Sequence, residues 1–152
     1  MWLAQLPEQV IDHSLLSGHE LAFLLRLGAA LLAGFLIGLE RESRNKPAGI
    51  STHSFVIGGA ALFSMMSWLI GSGDPGRIAA QIVTGVGFLG AGIIIRSDQG
   101  TVVNLTTAAS IWFSAAIGMA FGFGFYAIGV VAVLFSIIVP RIPHFGRRNP
   151  DR

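Results

Sequence analysis

The chain has 152 residues, of which 53% are hydrophobic and only 12% charged, against about 25% charged in an average soluble domain. Together with its 20 glycines, this composition excludes a disordered chain, a coiled coil and most soluble enzymes, because so few charges cannot clothe a soluble surface. The absence of Cys excludes disulfide frameworks and thiolate metal sites, and the net charge of +2 makes the position of the basic residues more informative than their total.

Residues 1–20 carry Glu8, Asp12 and Glu20 but no Lys or Arg, so the positive start of a secretory signal is missing, as is a cleavage site. Trp2, Leu3, Leu6 and Val10 have loose helical spacing, which fits a short interfacial helix with Trp2 at headgroup level. Spans follow at 21–39, 54–71, 78–95 and 105–121, each near the roughly 20 apolar residues that a bilayer core requires. A fifth, shorter segment at 125–139 stops at Pro140, where a helix is disfavoured. The expected fold is all-α, a polytopic membrane bundle of about five transmembrane helices.

Short loops rich in Lys and Arg stay in the cytoplasm. With five crossings, Arg41, Arg44, Lys46, Arg96, Arg141, Arg147, Arg148 and Arg152 share one side, while Arg77 lies on the other and Arg26 within the first span. This count orients the N-terminus outside and the C-terminus inside. It divides the chain into an extracytoplasmic segment 1–20, a transmembrane domain 21–139 and a basic cytoplasmic tail 140–152.

Gly85, Gly87 and Gly90 satisfy the dinucleotide-binding pattern GxGxxG, and Gly92 extends the run. That chemistry needs a strand, a turn and a helix, whereas this run lies inside an apolar helical segment. Close helix packing is the better reading, since small residues let backbones approach in lipid. Gly34 with Gly38 and Gly118 with Gly122 repeat the spacing in other spans. The density of glycine in the third span predicts a helix surrounded by others or locally unwound.

Polar residues at membrane depth are functional candidates. Asp74, Arg77 and Gln81 form an outer cluster, in which Asp74 would cap the third helix and pair with Arg77 four residues before Gln81. Snorkelling to the interface accounts for Arg26. The cytoplasmic cluster is richer: Glu40, Arg41 and Glu42 end the first span, Lys46 stands in the turn, Thr52 and His53 open the second, Arg96 closes the third, and Asn104, Thr106 and Thr107 open the fourth. An anion would use the helix starts at Thr52 and Thr106 with Arg41 or Arg96. A metal such as magnesium would take the oxygens of Glu40, Glu42 or Asp74, and His53 has no second His at ligand spacing. An ion-pair belt fixing helix register is the competing reading. No Ser/His/Asp grouping or metalloprotease motif is present, which argues against an enzyme, and the Arg-rich tail suits anionic lipid rather than nucleic acid.

The stretches GFLIGLERE (34–42), KPAG (46–49) with THSFV (52–56), GAALF (59–63), DPGRIAAQIVTGVGFLGAGIIIR (74–96) and LTTAASIW (105–112) resemble the MgtC/SapB family of bacterial inner-membrane proteins. The resemblance covers residues 21–139. It implies a five-span, multi-pass inner-membrane domain associated with growth under magnesium limitation, with action on membrane energetics through a partner such as the proton-translocating ATP synthase. The motif positions that match are Glu40, Arg41, Lys46, Pro47, Gly49, Thr52, His53, Asp74, Arg77, Gln81, the glycines of 85–92, Thr106 and Thr107. No role is carried over with them. Better-known members continue into a cytoplasmic ACT-like domain, and regulation through one is not expected from this sequence. Ser51 and Val103 stand where members often have a basic residue, which weakens an anion site at the inner helix ends.

Two functional expectations follow. The first is a non-enzymatic membrane protein without a resident cofactor, with magnesium as a signal or ligand at most. It supports magnesium or envelope-stress adaptation through contacts with itself, a dimer being favoured, or with a membrane partner. The alternative is an oligomeric transporter or channel for magnesium, protons or an anion, with Asp74, Gln81 and Glu40 along a path beside the glycine-rich third helix. A small structural subunit of a larger complex would need only the glycine faces.

Overall fold

A computed structural model describes residues 18–70, 74, 76–96 and 102–142. The N-terminal interfacial helix and the tail arginines Arg147, Arg148 and Arg152 lie outside the described residues. The order is α1 (Glu20–Ser43), α2 (Ile50–Ile70), α3 (Gly76–Ile93), a two-residue antiparallel pair β1 (Ile95–Arg96) and β2 (Val102–Val103), then α4 (Leu105–Gly122) and α5 (Tyr126–Ile138), which runs into a 3₁₀ turn (Val139–Arg141). In the β pair Ile95 faces Val103 and Arg96 faces Val102. The molecule is thus an all-α bundle in which α1 to α4 are long and apolar enough to cross a membrane.

Two helix ends are written by left-handed residues. Asn45, with φ 52°, follows α1, and the Lys46 amide reaches back to the Arg41 carbonyl while Asn45 bonds to Glu42. At the end of α4, Gly124 has φ 83°, with the Phe125 amide on the Ala120 carbonyl and Gly124 on Phe121. Both are Schellman stops, which satisfy the last carbonyls of a helix through one αL residue.

Helices α2 and α4 form the middle of the bundle: α1 packs on both, α3 packs on both, and α5 lies against α4 and α1. Close approach is set by glycine. A Cβ at Gly34 or Gly38 would overlap the backbone of Ser54 or Ile50, and one at Gly118 or Gly122 would overlap the carbonyls of Ile57 or Ala61. The α1–α2 and α2–α4 crossings therefore bring backbone against backbone, the arrangement that earns dispersion energy where lipid removes the hydrophobic drive. The core interleaves alanines with larger Ile, Val and Phe side chains. Ala30, Ala33, Ile37, Ile57, Ala61, Ile117, Phe121 and Val133 join α1, α2, α4 and α5. Ala60, Ala79, Ile82, Val86, Ile111 and Ala115 join α2, α3 and α4.

Helix α3 departs from expectation. It is continuous through its glycines rather than unwound, and it buries only one stripe, Ala79, Ile82, Val86 and Gly90, against α2 and α4. A Cβ at Gly85, Gly87 or Gly92 would meet nothing within 4 Å, and one at Gly90 would make only ordinary contact with Ala108. The pattern of glycines alone does not say which face a neighbour occupies, and here the described helices lie on the other side.

Helix α5 has 13 residues, about 20 Å at 1.5 Å per residue, yet it reaches from one end of the bundle to the other. Gly124, just before it, stands beside the Arg26 guanidinium near the start of α1, and the carbonyl of Pro140, just after it, accepts a hydrogen bond from Arg44 at the end of α1. The 3₁₀ turn adds the reach that the short helix lacks, because it rises faster per residue.

Candidate functional site

Four helix ends meet at the basic end of the bundle, and named side chains tie them together. Glu42, in the last turn of α1, places Oε1 2.9 Å from the Ile50 amide and so caps α2. A Cβ at Gly49 would collide with this carboxylate, so the glycine of the KPAG turn makes room for the cap. Helix α2 consequently begins before Thr52 and His53, which lie in its first turn. The positive N-terminal end of this helix is already matched by an internal anion.

His53 is fully buried. Its Nδ1 lies 3.0 Å from the Gly49 carbonyl oxygen, and its Nε2 lies 3.0 Å from Ser110 Oγ on α4. A carbonyl only accepts, so Nδ1 carries the proton in a neutral ring and Nε2 accepts from the serine hydroxyl. With both nitrogens engaged, His53 straps α2 to α4. Asn104, itself at φ 66° before α4, donates through Nδ2 to the Ile93 carbonyl at 3.3 Å, which ties the end of α3 to the start of α4.

Glu40 and Arg41 are both buried, at 4% and 1% exposure, and Glu40 Oε2, like Arg41 Nε, has no hydrogen-bond partner. Glu40 Oε1 is 3.3 Å from Arg44 and 3.8 Å from Arg141, so its charge is matched by two cations. Arg41 Nη2 donates to Thr107 Oγ1 at 3.2 Å, while its buried Nε has no hydrogen-bond partner. Glu40 thus forms two ion pairs within 4.0 Å, and among the described residues the Arg41 guanidinium has no carboxylate at that distance. Arg41 lines a cavity of about 830 Å³ together with Arg44, Lys46, Thr106, Ser110, Trp112, Phe135 and Ser136.

The structure thus brings Arg41, Thr107, Lys46 and Thr106 to one end and joins His53 to it through Ser110. Thr52 is half-buried in the first turn of α2. The Arg96 backbone pairs with Val102, and its side chain lies outside the described part. Glu40 and Glu42 do not converge: one faces Arg44 and Arg141, the other caps α2. Among the described residues no three His, Asp or Glu side chains come together as a metal cluster.

At the opposite end, Asp74 Oδ1 accepts the Gly76 amide at 3.1 Å and its carbonyl accepts the Arg77 amide. It caps α3, but it makes no ion pair with Arg77 within 4.0 Å. Gln81 is exposed and contributes a polar side chain to an otherwise nearly apolar groove of about 420 Å³ between α2 and α3. Arg26 has a structural role that snorkelling does not describe. Its Nη1 donates to the Gly122 carbonyl at 2.6 Å, putting a cation on the negative C-terminal end of α4. Sequence spacing does not reveal the partners of Arg26 and Ser110, which are 96 and 57 positions away, whereas an Asn after α1 is a local helix-stop signal.

The MgtC family profile matches residues 27–145. The chain is 44% identical over 132 residues to a putative magnesium transporter, YhiD, of Escherichia coli K12, covering 80% of this chain and 60% of that protein. It is 46% identical over 115 residues to protein MgtC of Salmonella typhimurium LT2, covering 76% and 49%, and 40% identical over 142 residues to protein SapB of Bacillus subtilis 168, covering 85% and 60%. It therefore spans about half to three-fifths of the length of these relatives. No solved structure matches. With a family profile that runs from α1 past α5 and three named relatives at 40–46% identity, this multi-pass membrane chain belongs to the MgtC family.

Proposed function

We propose that the chain is a non-enzymatic bacterial inner-membrane protein that supports adaptation to magnesium limitation or envelope stress by helix contacts within the bilayer. A second copy, or another membrane protein such as ATP synthase, is the partner. The observation that carries this reading is the outer face of α3. Ala80, Thr84, Gly87 and Ala91 recur at four, three and four residues, all exposed, and a Cβ at Gly87 would meet open space. Small residues at that spacing let a further helix approach closely in lipid, and the described helices leave this face uncovered.

The test is growth of a deletion strain in low magnesium, complemented by the chain with and without Gly87→Leu. Growth fails without the gene, returns with the parent chain, and returns poorly with Gly87→Leu although the variant accumulates in the membrane. Glu40→Gln, Asp74→Asn and Arg77→Gln are expected to reduce rescue as well. Normal growth of the deletion strain would sink the proposal.

The alternative, an oligomeric transporter or channel for magnesium, protons or an anion beside α3, draws support from the name of the YhiD relative. The groove between α2 and α3 is lined almost wholly by apolar side chains such as Phe55, Phe63, Ile82 and Leu89, so an ion path would have to form between copies. Purified protein in liposomes that moves none of these ions would remove this reading.

A further inference from the structure

We propose that the cavity at the start of α4 is a binding site for the headgroup of an acidic phospholipid, with Arg41 as its buried anchor. This inference needs the chain to lie in a bilayer and is independent of the partner reading above. A guanidinium at 1% exposure is costly unless its charge is matched. Arg41 has one hydrogen bond, to Thr107, a buried Nε without a partner and, among the described residues, no carboxylate within 4.0 Å, so the Glu40 charge acts on it only from beyond that distance. The adjacent Glu40 carboxylate meets Arg44 and Arg141 through Oε1, while its Oε2 has no hydrogen-bond partner and forms no ion pair with Arg41 within 4.0 Å. The matching negative charge is therefore assigned to a ligand in the cavity that Arg41 lines.

The two neighbouring helix starts separate the possibilities. Helix α2 receives the Glu42 carboxylate on its first amide. Helix α4 has no acidic residue in its first turn, and its N-cap Asn104 makes no side-chain cap bond, directing its amide to Ile93 instead. The positive end of α4 and the Arg41 guanidinium thus face the same space, and among the described residues no carboxylate lies within 4.0 Å of that guanidinium. Lys46 from the α1–α2 turn lines it too. Planar, bidentate donation by Arg beside a helix N-terminus is the chemistry that recognises a phosphate group.

The remaining wall selects a lipid over a free anion. Leu105, Trp112, Phe135 and Val139 line the same cavity and are 41–56% exposed. Charged groups at one end and exposed apolar side chains running towards the middle of the bundle match a headgroup with its acyl chains. A zwitterionic headgroup brings its own cation to a site already rich in cations, so a net negative headgroup is preferred.

The experiment uses the purified full chain in mild detergent, with thermal unfolding followed by circular dichroism. Palmitoyl-oleoyl phosphatidylglycerol, the corresponding phosphatidylcholine and inorganic phosphate are titrated separately at constant ionic strength. A ligand that binds only the folded chain raises its midpoint. Phosphatidylglycerol is expected to act at about tenfold lower concentration than phosphatidylcholine, the worth of about one charge-assisted hydrogen bond. Arg41→Gln is expected to abolish that preference, and Lys46→Gln, in the exposed turn, to reduce it with the lipid-free midpoint unchanged. Equal action of the two lipids, or an undiminished preference in both variants, would overturn the proposal; so would inorganic phosphate matching phosphatidylglycerol, because the ligand would then be a soluble anion. If Arg41→Gln does not fold, Lys46→Gln decides by itself.

Discussion

At the scale of single residues, the polar side chains of this bundle serve helix ends. Arg26 supplies a cation to the last turn of α4, Glu42 an acceptor to the first amide of α2, and His53 a link with a bond at each nitrogen. Arg26 and His53 satisfy groups away from water, while the Glu42 cap stands at the exposed end of the bundle. Arg26→Met keeps the apolar stem and deletes the donor to Gly122. It is expected to lower stability by about 1–3 kcal/mol, the range for a charged hydrogen bond, read as a lower unfolding midpoint in detergent. An unchanged midpoint would return Arg26 to simple snorkelling.

At the scale of helices, glycine has two opposite meanings in one chain. Gly38 sits where a Cβ would overlap the Ile50 backbone, while a Cβ at Gly85 would meet nothing within 4 Å. The same substitution should therefore change sign. Gly38→Ala must push α1 from α2 and is expected to cost about 1–3 kcal/mol through overpacking. Gly85→Ala restores helix propensity and is expected to stabilise the monomeric chain by about 0.5–1 kcal/mol. Denaturant titration of both variants in a detergent that keeps the chain monomeric provides the comparison, and destabilisation of equal size would refute it. The GxGxxG run is one half of this contrast. Its spacing was legible, but spacing does not tell whether a glycine admits a neighbour within the chain or leaves a face for one outside it.

At the scale of the whole molecule, the bundle has two chemically distinct ends. Arg41, Arg44, Lys46 and Arg141 gather at one, while Asp74 and Arg77 stand at the other, across the length of α3 and α2. The chain contains no Cys, so a single introduced cysteine reports its own side. Lys46→Cys in intact cells is expected to resist a membrane-impermeant maleimide, whereas Arg77→Cys is expected to react. The opposite pattern would invert the orientation expected from the distribution of Lys and Arg.

The sequence alone determined the helices and their approximate limits, because apolar length, Pro140 and the small residues act locally along the chain. It also picked out the stretch from Glu40 to His53 as chemically rich. Only the tertiary structure decided which of those charges are answered. Glu40 takes two cations and Glu42 a helix start, whereas Arg41 is buried against Thr107 with no carboxylate of the described residues within 4.0 Å. Arg44 and the Ile50 amide are near neighbours along the chain, but Arg141 and Thr107 come from elements far away in sequence, and electrostatic matching in a low-dielectric interior depends on distance in space. For the same reason the pattern of glycines supplied faces for contact, while the packing of α2 and α4 determined which of them remain open.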